Sequence, residues 1–159
     1  MKRLILAIII LFTANSLISA QEGGDERIRR QLEGRGLKFS MTTTNDFKMQ
    51  YETTDGRTQL IFINSKTEKY KNFEVREIWS PAYKFTDQVP AIVANRLLSN
   101  SYDKILGGWQ THTFGGSKLA SFAVKAAAEL EVEDLINIIE SVVKTADAME
   151  KELSGADDL

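Results

Sequence analysis

The stretch from Asn45 to Asn64, NDFKMQYETTDGRTQLIFIN, constrains this chain more than any other. Phe47, Met49 and Tyr51 alternate with Lys48, Gln50 and Glu52, so an extended strand here turns one face to a core and the other to water. Asp55-Gly56 supplies the residue types of a tight hairpin turn. Leu60-Ile61-Phe62-Ile63 follows as a continuous apolar run, the pattern of a strand covered on both faces. An antiparallel hairpin is therefore expected, and other elements must cover it.

What remains for that cover is set by the first twenty residues. Lys2 and Arg3 precede the apolar run Leu4 to Phe12, and Leu17-Ile18-Ser19-Ala20 ends in a small residue. That is the pattern of a secretory leader cut after Ala20. The apolar run is about half of the ~20 residues that span a bilayer, which favours a removed leader over a kept anchor. The expected location is periplasmic or secreted, with no membrane insertion once the leader is gone. Removing residues 1–20 takes away two of the 20 basic residues and none of the 22 acidic ones, leaving 18 against 22, a net charge of −4. A mildly acidic, mixed surface argues against nucleic acid, which needs a basic footprint. There is no cysteine in the 159 residues, so an exported form relies on packing rather than on disulfides.

From residue 21 the chain reads as a single α+β unit to 155, with residues 156–159 as a frayed acidic tail. Asp25 caps a short helix with Ile28 and Leu32 on one face, and Gly34 and Gly36 end it. After the hairpin, Phe73 to Trp79 makes a third strand, which Ser80-Pro81 stops because proline lacks a ladder donor. Thr86 or Asp87 caps a second helix, with Pro90 in its first turn and Val89, Ile92, Val93, Leu97 and Leu98 on its apolar side. Ile105 to Phe114 is the fourth strand, Gly115-Gly116 a hairpin turn, and Leu119 to Ala127 a fifth strand whose small residues let a helix lie close. Val132, Leu135, Ile136, Ile139, Val142, Val143, Ala146 and Met149 then repeat at three- and four-residue steps, the signature of an amphipathic helix. The order is α-β-β-β-α-β-β-α: a five-stranded antiparallel sheet with helices packed on it.

That order resembles the class I type III secretion chaperones and, more closely, the YbjN-like family of bacterial proteins. Gly34-Arg35-Gly36, Asp55-Gly56-Arg57 and Leu97-Leu98-Ser99-Asn100 carry the likeness, over roughly Arg27 to Leu153. The resemblance implies a small non-enzymatic module able to dimerise and to hold a client segment. It supplies no catalytic motif, so no functional residue is transferred from it. An exported leader and a near-balanced charge set this chain apart from the cytosolic, strongly acidic secretion chaperones.

Candidate chemistry is sparse. His112 is the only histidine, and a lone histidine with no cysteine makes a poor metal site. No Gly-x-Ser-x-Gly elbow accompanies it, although Gly115-Gly116-Ser117 lies nearby. Gly107-Gly108 and Gly115-Gly116 lack the lysine and helix of a phosphate loop. Glu131, Glu133 and Asp134 read as carboxylates complementing a helix dipole. No catalytic residue, metal ligand or cofactor is assigned on these grounds. The aromatics are richer: Trp79, Tyr83 and Trp109 are expected to rim a surface for a protein segment, another envelope protein or a second copy of the chain. The function expected is a non-catalytic exported protein-binding module, with strand addition at a sheet edge as its mode. The competing expectation is a small envelope hydrolase or ligand carrier, with a pocket between the sheet and the second helix.

Overall fold

The alternation of the first hairpin becomes an alternation of burial. Phe47 and Met49 are buried while Gln50 and Glu52 are exposed, and Gln59, Ile61 and Ile63 turn inward on the strand opposite. The computed structural model describes residues 23–157 and 159, so the leader and its cut after Ala20 lie outside the described residues. Helix α1 (Glu26–Gly34) comes first, followed by strands β1 (Ser40–Met41), β2 (Phe47–Glu52), β3 (Thr58–Ile63), β4 (Glu68–Tyr70) and β5 (Phe73–Phe85). Helix α2 (Ala91–Tyr102), strands β6 (Gly108–Phe114) and β7 (Ser117–Ala127), and helix α3 (Val132–Leu153) complete the order. All strand pairs are antiparallel, in the order β1-β2-β3-β5-β7-β6, with β4 beside β5.

The α+β class stands, but the sheet has seven strands rather than five. The two additions are short: β1, of two residues, lies at the end of Leu37–Met41, a stretch that reads as extended, and β4, of three, lies in the polar segment Asn64–Lys71 that reads as turn. Pro81 does not stop β5, which continues to Phe85 through a register shift between Pro81 and Tyr83. Side chains take over the ladder there. Gln59 Nε2 donates to the Pro81 carbonyl at 2.6 Å and to Ser80 Oγ at 2.9 Å, while Ser80 Oγ donates to the Leu60 carbonyl at 2.5 Å. Helix α2 starts at Ala91 behind Pro90 rather than being capped by Thr86 or Asp87, and β6 starts at Gly108 rather than at Ile105. The β2–β3 connection is a 3-10 turn over Thr54–Gly56 in which Gly56 takes the positive φ of 74°, not a two-residue Asp-Gly turn. Gly115-Gly116 does form the expected two-residue turn, with φ of 56° and 79°.

One face of the sheet carries all three helices. Ile28 and Leu32 of α1 and Leu135, Ile139, Val142 and Val143 of α3 enclose Phe47, Met49, Ile61, Ile63, Ile78, Phe122 and Val124. Beside them Val93 and Leu97 of α2 lie on Ala82, Ala120, Ala146 and Met149, so small residues do bring that helix close. Burial of each such aliphatic side chain contributes about 1.5–3 kcal/mol, which is why α3 sets the position of the sheet.

The opposite face has a smaller core that contains no helix residue: Phe62, Trp79 and Ala123, with Leu60 and Phe114 against them. Trp79 lies flat on Phe62 (centroids 4.2 Å, planes 12° apart) and meets Phe114 edge-on at 5.1 Å. In register, Trp79 stands opposite Ala123 and Ala123 opposite Gly108, six residues up β6 from Phe114. A flat sheet would separate those positions by about 20 Å. Strong coiling must therefore curl the β6–β7 hairpin over this face, and the register shift at Pro81 is the device that increases twist.

Arg76, buried, and Arg57, half-buried, lock the ends. Arg76, with 1% of its side chain exposed, donates to the carbonyls of Asn64 and Ser65 and pairs with Asp25, the cap of α1. Burial alone would raise the Asp25 carboxyl, but hydrogen bonds from Arg27 and Arg76 outweigh it and hold the group well below the usual carboxylate range. Arg57, at the foot of the 3-10 turn, donates to Asp147 at 2.7 Å, Glu150 at 3.1 Å and the Ala156 carbonyl at 2.6 Å. Asp157 accepts from the Thr58 amide at 3.1 Å, so the acidic tail is held at Ala156 and Asp157 rather than frayed. Arg57→Ala should cost about 3–5 kcal/mol by leaving Asp147 and Glu150 buried beside each other without their cation. Urea unfolding of the two chains at pH 7 measures that loss.

Candidate protein-interaction surface

The three aromatics expected to rim one surface are not on one surface. Strand alternation puts Trp79 on the helix-free face and Trp109 and Tyr83 on the helix-bearing one. Trp79 is 5% exposed, stacked on Phe62, with Nε1 donating to Asn64 Oδ1 at 3.0 Å. Trp109 is half-buried edge-on to Phe122 and donates through Nε1 to Asn100 Oδ1 at 2.8 Å. Tyr83 is half-buried against the cluster under α2. Each is committed to packing first, because a large ring beside small residues such as Ala120 and Ala123 fills the space they leave.

Exposed apolar side chains lie elsewhere, five of them on α2 and the loop after it. Ile92 (81% exposed), Leu98 (65%), Tyr102 (91%) and Ile105 (99%) face solvent, with Leu106 beside them in sequence. Sequence reasoning placed Ile92 and Leu98 on the buried side of this helix and Ile105 in a strand. The helical wheel separates them. Val93 and Leu97 point to the sheet, and Ile92, Leu98 and Tyr102 fall on the other half of the turn. An apolar stripe too wide for a single buried face was the available signal.

Helix α2 is held firmly enough to present that face. Arg96 forks onto Glu152 of α3, with Nη2 to Oε2 at 2.7 Å. At its other end Ser101 Oγ accepts the Trp109 amide at 2.9 Å, and Asn100 accepts the Trp109 indole. Gly107 makes the approach possible. Its φ of 76° and the Ala123 carbonyl, on which a Cβ would land, exclude an ordinary side chain there.

Strand β6 is the edge of the sheet. The Trp109 amide points outward, as its bond to Ser101 shows, and alternation in an antiparallel strand turns the amides of Thr111 and Thr113 outward as well. A slot of about 460 Å³ lies across the last rungs of β5, β7 and β6, lined by Phe85, Asp87, Val89, Thr111, Thr113 and Lys118. Lys118 closes part of its wall by donating to the Asp87 carbonyl at 2.7 Å. His112 also borders the slot. Its ring stands edge-on to Trp79 at 4.6 Å, and its Nε2 is buried with no hydrogen-bond partner.

The remaining candidates resolve into structure. Asp147, Glu150 and Asp157 place carboxylate oxygens within 4.8 Å of one another, but Arg57 occupies the centre of that group. Glu133 pairs with Arg35, and Glu131 is the residue before α3. Among the described residues no helix is long and apolar enough to cross a membrane.

Comparison with known proteins extends only to the fold. No family model and no curated protein sequence matches this chain. The crystal structure of YbjN from E. coli, provisionally called a transcription regulator, superposes with a TM-score of 0.52 over 80% of this chain and 89% of that one, at 11% identity. The chain thus shares a YbjN-like α+β fold.

The half-buried imidazole of His112 generates a pH dependence. Burial pushes the His112 pKa below its ordinary value, and the Glu77 carboxylate pulls it partly back. The unfolded chain takes up a proton below about pH 6.5 that the folded chain resists. Stability from this site is therefore complete above that pH and declines as the pH drops from there towards the folded value. The urea midpoint should drop more between pH 7.5 and pH 5 for the natural chain than for His112→Gln.

Proposed function

We propose that this chain is a non-catalytic protein-binding module, exported by its leader, that takes up an extended protein segment along β6. The single observation that carries the reading is the pairing of an unpaired β edge with an exposed apolar helix. Helix α2 begins at Ala91, two residues after Val89 in the wall of the slot, and ends at Tyr102 before the loop that leads into β6. Backbone amides at Thr111 and Thr113 would supply the ladder, and Ile92, Leu98 and Tyr102 would supply apolar anchorage. An edge strand left open in a folded protein is a pairing template, so an open edge flanked by apolar side chains is best explained by a partner.

The partner is an extended segment of another envelope protein, and the same surface admits a second copy of the chain in an isologous pair. The likeness to YbjN supports the fold on which this reading stands. The excess of carboxylates over basic residues speaks against nucleic acid as the partner. The ligand-carrier alternative draws on the same slot, whose lining shows no converging set of buried polar groups.

Charge on the helix separates these occupants. Leu98→Glu with Tyr102→Glu alters residues that are already exposed, so the fold and its unfolding midpoint should be kept within about 0.5 kcal/mol. Light scattering and capture from envelope extract should show the natural chain as a dimer or with a stoichiometric partner, and the double variant as a free monomer. A natural chain that is monomeric and captures nothing would remove the reading.

A further inference from the structure

The hairpin of β4 and β5 stands at the other end of β5 from the slot, and it exposes what a soluble turn ordinarily hides. Tyr70 and Phe73 pair across its tip and are 72% and 53% exposed. The two-residue turn between them is Lys71-Asn72, and Lys71 holds a left-handed φ of 55° that a lysine adopts only at a cost. Glycine at that position would relieve the strain and delete the charge. Lys66 and Lys69 lie on the same arm, both exposed.

The carboxylates of this arm are already engaged. Glu68 lies 3.8 Å from Lys125, and Glu74 accepts from Arg27 at 3.1 Å and from Thr67 at 2.6 Å. Among the described residues none of Lys66, Lys69 and Lys71 comes within salt-bridge distance of a carboxylate, while Lys71 lies 5.7 Å from the centre of the Tyr70 ring. Two exposed aromatic rings beside Lys66 and Lys71, with Lys69 opposite Glu74 across the ladder, match the headgroup zone of an anionic bilayer, where rings sit at the boundary and ammonium groups meet phosphate.

The root of this hairpin is fastened to the start of the folded residues. The segment bearing Lys2, Arg3 and the apolar run Leu4–Phe12 joins the folded residues at Gly23–Asp25. That junction is fastened to the root of this same hairpin. The Asp25 amide donates to Ser65 Oγ at 3.2 Å, and Arg27 bridges Asp25 to Glu74. Gly24 sits so close to Met41 and Phe47 that a Cβ would lie 2.7 and 2.8 Å from them, which seats the junction firmly.

We propose that the β4–β5 hairpin is a membrane-surface contact, seating Tyr70 and Phe73 at headgroup depth of an anionic bilayer with Lys66, Lys69 and Lys71 on its phosphates. No segment crosses the bilayer in this arrangement. The contact uses a different end of the molecule from the β6 slot and is independent of what that slot binds.

The absence of cysteine makes the test clean. In the full chain, Asn72→Cys carries a polarity-sensitive fluorophore at the hairpin tip, and Thr86→Cys carries it at the far end as the control. Vesicles of phosphatidylglycerol and phosphatidylcholine in equal parts should shift the emission at position 72 to the blue and leave position 86 unchanged. Pure phosphatidylcholine should give little shift. Lys69→Glu with Lys71→Glu, or Tyr70→Ser with Phe73→Ser, should weaken the shift at position 72 about tenfold in lipid concentration. An unshifted tip, equal shifts at both positions, or a shift produced by acidic protein but not by anionic vesicles would overturn the proposal.

Discussion

The contact of α3 with the sheet is what the rest of the molecule depends on. Leu135, Ile139, Val142 and Val143 meet Ile61, Ile63, Ile78, Phe122 and Val124, residues drawn from β3, β5 and β7. None of those strands is stable alone, because an isolated antiparallel ribbon has no apolar face to hide. The helix that closes the chain is thus the element that makes its middle strands a sheet. Arg57 reinforces the seam at one end by tying the β2–β3 connection to Asp147, Glu150 and the tail. Three carboxylates gathered about one guanidinium would be a liability on a surface. Beneath the turn they fix where α3 stops.

Once one face is fully used by helices, the other must close itself. It does so by coiling, with Trp79 laid across small residues to reach Phe62, Phe114 and His112. The irregularity at Pro81 serves this end, since a missing amide and a shifted register let β5 bend while Gln59 and Ser80 satisfy the exposed carbonyls. Phe62, Trp79 and Phe114 are spent on this second core. What is left for contact with other molecules is an edge, a helix and a hairpin: β6, the outer half of α2, and the arm carrying Tyr70 and Phe73. These lie at different ends of the molecule, and their chemistry differs, one apolar with free amides and the other aromatic and basic.

Much of this was written in local pattern. The period of two across Phe47–Tyr51, the apolar run at Leu60–Ile63 and the three- and four-residue spacing of α3 each fix an element, because burial of one face follows directly from spacing. Asp25 as a cap and Gly115-Gly116 as a turn were legible for the same reason: the side chain or its absence acts within a few residues. The α-β-β-β-α-β-β-α order follows from these once the short strands β1 and β4 are set aside.

The candidate surface was decided elsewhere. Trp79 and Trp109 look equivalent as letters, yet register sends one to each face, and register is set by a bulge and by partners such as Ala123 for Trp79 and Phe122 for Trp109. Leu97 and Leu98 are adjacent and identical, but only the first finds Ala82, Ala120 and Ala146 beneath it. Pro81 reads as a stop until Ser80 Oγ donates to the Leu60 carbonyl and Gln59 Nε2 to the Pro81 carbonyl. Sequence by itself determined which segments form helices and strands and that apolar side chains exceed what one helix face can hide. Tertiary structure alone decided which of them stay uncovered, because exposure is a property of the neighbours that long-range pairing brings and not of the residue itself.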